Sequence, residues 1–419
     1  MQKVWLIAAC AVFSATLAGC SKDVPGSVSY TLRALNAVPD AEALDVIVDN
    51  NVKVTGLAVG ATSGYESVGA GTHTVKIRSS TTGVVLVEKS IFVASKHTAL
   101  MIYGRRSAIS VLTLNDETGS PSSGKAKVRA VNLSAEAEAV DVYLGTVDLA
   151  SATATLSSIA YESSIDFAEV TGGSQTLAIT AAGTKDVRFQ STGQSFAAGS
   201  IYTVAVLASG GGQLANAVVI GDAGGTFIPN SLGRVKAMNA MGDATVVTFK
   251  ADGAALLSNV PVATSPGYVA LAATNHSFQV EAVNVPGVAI ASIPQAVGPA
   301  RDYTLLAVGS AGQAGLVALT DDNSVPASGN ARVRFVNGLS VPADVLVNLA
   351  SQASGLSPRT ASPYFSIAAG TDYTITFSNP GGIGVLATLS SVELVSGYVY
   401  TVYLLGNPAA PSAVLVRDR

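Results

Sequence analysis

Along much of this chain apolar and polar residues alternate one for one. Leu44, Val46 and Val48 fall on one side of a run whose other side is Asp45, Ile47 and Asp49; later, Val140, Val142 and Leu144 oppose Asp141, Tyr143 and Gly145. Period-two alternation predicts strands with one buried face. Further strands are predicted at 72–77, 175–179, 277–280 and 373–377, and turn-forming pairs such as Ala70-Gly71 and Gly370-Thr371 stand before them. A third set, 98–102, 203–207, 304–308 and 401–405, is continuously apolar, as suits a central strand covered on both sides. After each of these a β run reaches an acid: Asp116, Asp222, Asp321 or Asp418. No segment shows sustained helical periodicity.

The strands recur in a fixed frame. Runs of one type close on Asn36, Asn132, Asn239 and Asn337, spaced by 96, 107 and 98 residues. Tyr65, Tyr161 and Tyr268 follow their asparagines by 29 residues and Tyr364 follows by 27. Two landmarks in register over four passes imply a unit of about 100 residues used four times. Seven or eight short strands per unit predict an all-β chain of four tandem immunoglobulin-like antiparallel β-sandwich domains in an extended array. The expected bounds are 28–117, 126–222, 232–321 and 330–419. Polar breaks rich in Pro, Gly and Ser at 117–124, 223–233 and 322–330 read as short linkers, so neighbours are expected end to end with limited swing.

The first residues carry an address. Met1-Gln2-Lys3 is a charged start, 4–17 is mostly apolar, and Leu17-Ala18-Gly19-Cys20 closes it, the form of a secretory signal over 1–19. Those four residues resemble the lipobox of bacterial lipoproteins. The resemblance implies cleavage before Cys20, acylation (palmitate) of Cys20, and a tether over 20–27. Ser21 is similar to an outer-membrane sorting residue. Cys10 and Trp5 would leave with the signal, so no intrachain disulfide is expected and stability must come from apolar burial.

Composition then separates the remaining classes. Hydrophobic residues are 48% of the chain, yet no later apolar run approaches the length a membrane helix needs. Aromatics are only 6% and form no paired girdles, which argues against an outer-membrane barrel. The formal charge of −4 and the lack of a basic patch argue against nucleic-acid binding.

Arg33-Ala34-Leu35-Asn36-Ala37-Val38-Pro39-Asp40-Ala41, Leu44-Asp45-Val46-Ile47-Val48-Asp49, and Tyr65 with Gly69-Ala70-Gly71-Thr72 resemble the bacterial domain-of-unknown-function family 4397. The second repeat keeps Val140-Asp141-Val142 without the Pro-Asp turn, the third loses the aspartate, and the fourth keeps Asp344. The resemblance implies a sandwich in exported, often lipid-anchored proteins, and no assigned chemistry.

Candidate chemistry is thin. Gly119-Ser120-Pro121-Ser122-Ser123-Gly124-Lys125-Ala126 fits a phosphate-loop frame until Ala126, where Ser or Thr is needed, and it leads into a strand. His73, His97 and His276 have no second ligand at metal spacing. Asp116, Glu117, Asp321 and Asp322 lie where repeats hand over, and carboxylates at junctions are candidates to bind Ca²⁺; no other cofactor or metal is expected. The recurring Asp45, Asp141 and Asp344 suggest edge protection or a turn contact. The recurring tyrosines are expected buried with satisfied hydroxyls. The expectation is therefore a non-enzymatic outer-membrane lipoprotein for adhesion, matrix or scaffolding, partnered by an envelope protein or polysaccharide. The alternative is a glycan- or peptide-binding module.

Overall fold

The computed structural model describes residues 29–145, 148–243, 245–310 and 312–419. The signal, Cys20 and the tether lie outside the described residues. Within them the regular elements are all strands, arranged in eight sheets. In the first repeat one sheet orders Glu66–Val68, Tyr30–Asn36, His97–Arg105 and Ala108–Asn115, and the other orders Asn51–Leu57, Leu44–Val48, Gly71–Ser79 and Val85–Val93. Tyr30–Asn36, His97–Arg105 and Ala108–Asn115 are termed opening, central and closing strands. Their counterparts are Lys125–Leu133, Ile201–Leu207 and Asn216–Gly221, then Leu232–Met241, Asp302–Gly309 and Gly315–Asp321, then Asn330–Asn337, Val399–Asn407 and Ala410–Arg417.

Opening and central strands run parallel in every repeat, from Thr31 beside His97 to Asn36 beside Ile102 in the first. The expectation of antiparallel sandwiches is corrected at this pairing. Parallel neighbours need a long crossover, and the entire second sheet supplies it.

An apolar cluster fills each sandwich. Alternation along the central strands decides how the sandwiches meet. Leu100 and Ile102 point into the first core, while Ala99, Met101 and Tyr103 point out of it. Outside they meet Val131, Leu133, Ala205 and Leu207 of the second repeat, so the two first sheets pack face to face. Repeats three and four pack the same way through Met238, Leu306, Val308, Val336, Tyr403 and Leu405. The continuous apolar character of the central strands is thus explained, and the end-to-end array is corrected to side-by-side pairs. The physical reason is burial: each large apolar side chain taken from water stabilises by about 1.5–3 kcal/mol, and a sandwich alone leaves its outer row wet.

The stretch 223–233, expected to be a linker, is corrected as well. Gly224–Ile228 pairs antiparallel with the closing strand Asn216–Gly221 and runs back along the first pair. Asn230, almost fully buried, fixes its end by donating Nδ2 hydrogens to the Arg188 and Ala215 carbonyls at 2.8 Å each. The second pair begins there, on the far end of the first. The molecule therefore has two tiers, with Tyr30 at the base of the lower and the turns after Gly309 and Gly406 at the tip of the upper.

Two local devices recur. Asn36, Asn132, Asn239 and Asn337 are fully buried; each donates Nδ2 to carbonyls of its own loops and accepts from the amide two residues on. Asp45, Asp141 and Asp344 accept from the amides of Gly56, Ser158 and Gly355 at 3.0, 2.7 and 2.6 Å. Those three residues have positive φ and sit where the strand register shifts. The aspartates clamp a β-bulge, the turn contact expected; in the third repeat Thr248 takes the place, receiving the Asn259 amide at 3.4 Å.

Candidate interaction sites

The seams between paired repeats contain buried charge. Three residues before each recurring asparagine stands a cation: Arg33, Arg129, Lys236 or Arg334. In the upper pair the exchange is reciprocal, Lys236 of the third repeat meeting Asp418 of the fourth, and Arg334 of the fourth meeting Asp321 of the third at 2.5 Å. Burial works against charge on Asp321, but Arg334 and Lys236 outweigh it and hold its pKa below the usual range. Thr304 and Tyr268 add hydroxyl donors to Asp321 at 2.7 and 2.5 Å. In the lower pair Asp116 accepts from Arg33 Nε at 2.6 Å, from Tyr65 at 2.7 Å and from Arg129 across the seam. Sequence reasoning missed this network; the fixed spacing from cation to asparagine was the signal.

These contacts bear on the calcium candidates. Asp116 and Asp321 face guanidinium groups rather than an open ring of oxygens. Asp322 pairs with Arg332 at 2.7 Å, and Glu117 accepts from the Lys96 amide at 2.8 Å. Burial raises the Asp322 carboxyl, yet the Arg332 and Ser324 hydrogen bonds prevail and hold it at about 2. Among the described residues no three His, Cys, Asp or Glu side chains gather as a metal group. The positive charge at the junctions comes from the chain itself.

The expectation of buried tyrosines is corrected, since Tyr65 is exposed and Tyr161, Tyr268 and Tyr364 are half-buried at the seam margins, but three hydroxyls are satisfied: Tyr65 and Tyr268 donate to seam acids, and Tyr364 receives the Asp322 amide at 3.3 Å. Tyr161 instead packs edge-on against Tyr103 in the seam. The histidines do not converge. His73 lies between Asp49 and the Gly69 carbonyl, His276 between Asp252 and the Ala272 carbonyl, and His97 beside Thr31. The frame 119–126 is loop as far as Gly124 and then enters the opening strand at Lys125, whose Nζ reaches Thr171 at 3.3 Å.

The tiers meet on a glycine loop. The Arg301 side chain donates to the Gly210 carbonyl, the Asn323 amide to the Gly211 carbonyl at 2.6 Å, and Arg234 to Gln213 at 2.7 Å. A Cβ on Gly212 would meet the Ala300 carbonyl oxygen at 2.7 Å, so this close approach of two backbones requires glycine. Beside it opens a cleft of about 480 Å³ lined by parts of all four repeats, including Asp40, Arg105, Arg301, Asp322, Arg332 and Tyr364. Its cations are engaged: Arg105 with Glu136 at 2.5 Å and Arg332 with Asp322. An adjoining cleft of about 340 Å³ lies between the strand ends of the lower pair and Val325-Pro326-Ala327. A third, of about 250 Å³, lies at the tip.

The chain belongs to the family described as Domain of unknown function (DUF4397), whose model matches residues 30–143 and 233–343, more than half of the chain. Each match starts in the opening strand of the first member of a pair and runs into the second member. No curated protein sequence matches. Among solved structures, a product complex of the multi-modular glycogen-degrading pneumococcal virulence factor SpuA aligns with 86% of this chain and 38% of its own, at 7% identity and a TM-score of 0.16. That likeness carries no argument about fold or function.

Proposed function

We propose that this chain is a non-enzymatic lipoprotein of the bacterial cell envelope, anchored in the outer membrane through acylated Cys20, and that it serves adhesion, matrix organisation or scaffolding. The observation that supports this most is the placement of its ends. Tyr30 stands at the base of the lower tier, and two strand-end clefts succeed each other toward the tip. A lipid at Cys20 would hold the base to the membrane and present the tip to partners. Buried cation–acid seams and a shared apolar layer suit a rigid spacer. Protease shaving of intact cells, followed with an antibody against the fourth repeat, tests the reading. Loss of signal without lysis supports surface display, and protection until the outer membrane is permeabilised moves the role to the periplasm. Recovery of the unacylated chain from the soluble fraction of labelled cells overturns the anchor.

A second reading, a glycan- or peptide-binding module, draws on the clefts at the strand ends. Retention on amylose, cellulose or peptidoglycan favours the glycan form. Without Trp5 the described chain offers no tryptophan for stacking on sugars.

A further inference from the structure

We propose that Lys236 and Asp418 join as an intramolecular amide, tying the third repeat to the fourth by a covalent bond across the upper seam. Of the four cations that keep one place before the recurring asparagines, three are arginines and one is Lys236. A guanidinium stays protonated and does not attack a carboxyl, whereas an ε-amine that gives up its proton is a nucleophile. The seam thus carries an amine at this one place, set directly against a carboxylate. Lys236 is 2% exposed and the Asp418 side chain is wholly covered; the Nζ of one donates to Oδ1 of the other.

The surroundings suit an amide better than two charges. An ammonium carries three hydrogens, and among the described residues they meet one carboxylate oxygen and the Tyr268 ring at 5.2 Å. Arg334, in the same seam, has Thr401, Thr304, the Thr320 carbonyl and Asp321 for its fork. Taking two ions out of water is costly, and a neutral replacement is often as stable or more so. Burial opposes charge on Lys236, yet Tyr403 and Asp418 outweigh it and hold the proton on, so the reaction starts from the ion pair. One proton passes from Nζ to Oδ1, giving an amine and a carboxylic acid. The nitrogen lone pair bonds to Cγ, and the carbonyl pair moves onto Oδ2, to which Thr401 donates at 2.5 Å. Oδ1 then leaves as water, with its own proton and one more from the nitrogen, and the carbonyl re-forms. One water is released, and the step consumes no oxidant or reductant. Tyr403 is fully buried with its hydroxyl unpaired among the described residues, and Lys236 is the charge that acts on it most. That hydroxyl can carry the second proton, and the finished amide offers it an acceptor.

The test is tandem mass spectrometry of the purified full chain, and its outcome does not depend on where the protein is displayed. Trypsin is expected to leave Lys236 uncut and to yield residues 235–250 branched, through Lys236, to a fragment carrying Asp418. The branched product should be lighter than its two parts by one water. Lys236→Arg keeps a cation in the seam without an amine, and Asp418→Ala removes the carboxyl, so each should abolish the branch. Wild-type chain that trypsin cuts after Lys236, giving fragments of unaltered mass, overturns the proposal whether or not the variants fold. So does the loss of one water while Lys236 stays open to trypsin, as ring closure at Asp252-Gly253 would give.

Discussion

Asn239 donates one amide hydrogen to the Thr245 carbonyl and one to the Val260 carbonyl, both at 2.9 Å, and its oxygen accepts from the Met241 amide at 3.1 Å. One side chain thereby satisfies three backbone groups that no ladder reaches. Asn239→Ala leaves them buried without partners, and the expected loss is about 3 kcal/mol, read from the urea midpoint. Asn239→Asp, which cannot donate, should cost at least as much. At His73 both ring nitrogens face acceptors, Asp49 at 2.6 Å and the Gly69 carbonyl at 2.9 Å; His276 repeats this with Asp252 and Ala272 at 2.7 and 2.8 Å. Both rings need two protons to satisfy that geometry. Asp49 raises the His73 pKa; at His276 burial lowers it, but the Ala272 carbonyl and Asp252 outweigh burial and raise it. A raised folded pKa gives stability that is complete below the unfolded value of 6.5 and lost as pH climbs through the folded value. The melting temperature should therefore fall as pH rises above the unfolded value of 6.5. The double variant His73→Gln, His276→Gln should flatten that slope, and an unchanged slope would count against the imidazolium reading.

At the scale of elements, the central strand was the most informative stretch of sequence. Its unbroken apolar run announced two covered faces, and the structure provides both. What covers the outer face could not be read from it, because Met101 and Leu306 look the same whether their neighbour is another sheet of one domain or a second domain. The closing acids were legible as recurring marks, but a carboxylate at a strand end looks alike whether it awaits a metal ion or already holds an arginine. Spacing alone would have favoured the arginine, since Arg33, Arg129, Lys236 and Arg334 keep one place. Gly224–Ile228 was hidden by its glycines, which imitate a linker while allowing Gly225 to sit against Thr62. Arg334→Met should strand Asp321 in the upper seam and destabilise by about 3–5 kcal/mol. Adding Asp321→Leu should recover most of that loss in the same urea titration, since replacing a whole buried pair is often neutral.

For the whole molecule, the pair is expected to unfold as one unit, because each member leaves an apolar face that the other covers. Residues 29–228 contain one complete pair with its returning strand, and they should unfold in one transition with a monomer's mass by light scattering. Residues 29–117 expose Leu35, Ala99, Met101 and Tyr103. That face should draw two copies into a homodimer or into aggregates, because it is built to meet a sheet of the same design. A monodisperse monomer of 29–117 would refute the pair as the unit.

The parallel join between Tyr30–Asn36 and His97–Arg105 also sets how the molecule answers a pull. Tension between base and tip enters at Tyr30 and runs along the strand, so the register from Thr31–His97 to Asn36–Ile102 is loaded in shear, all its hydrogen bonds at once. An antiparallel hairpin drawn from its open end parts one bond at a time. Held at that strand, the fold would resist abrupt force far better than its thermal stability alone would suggest.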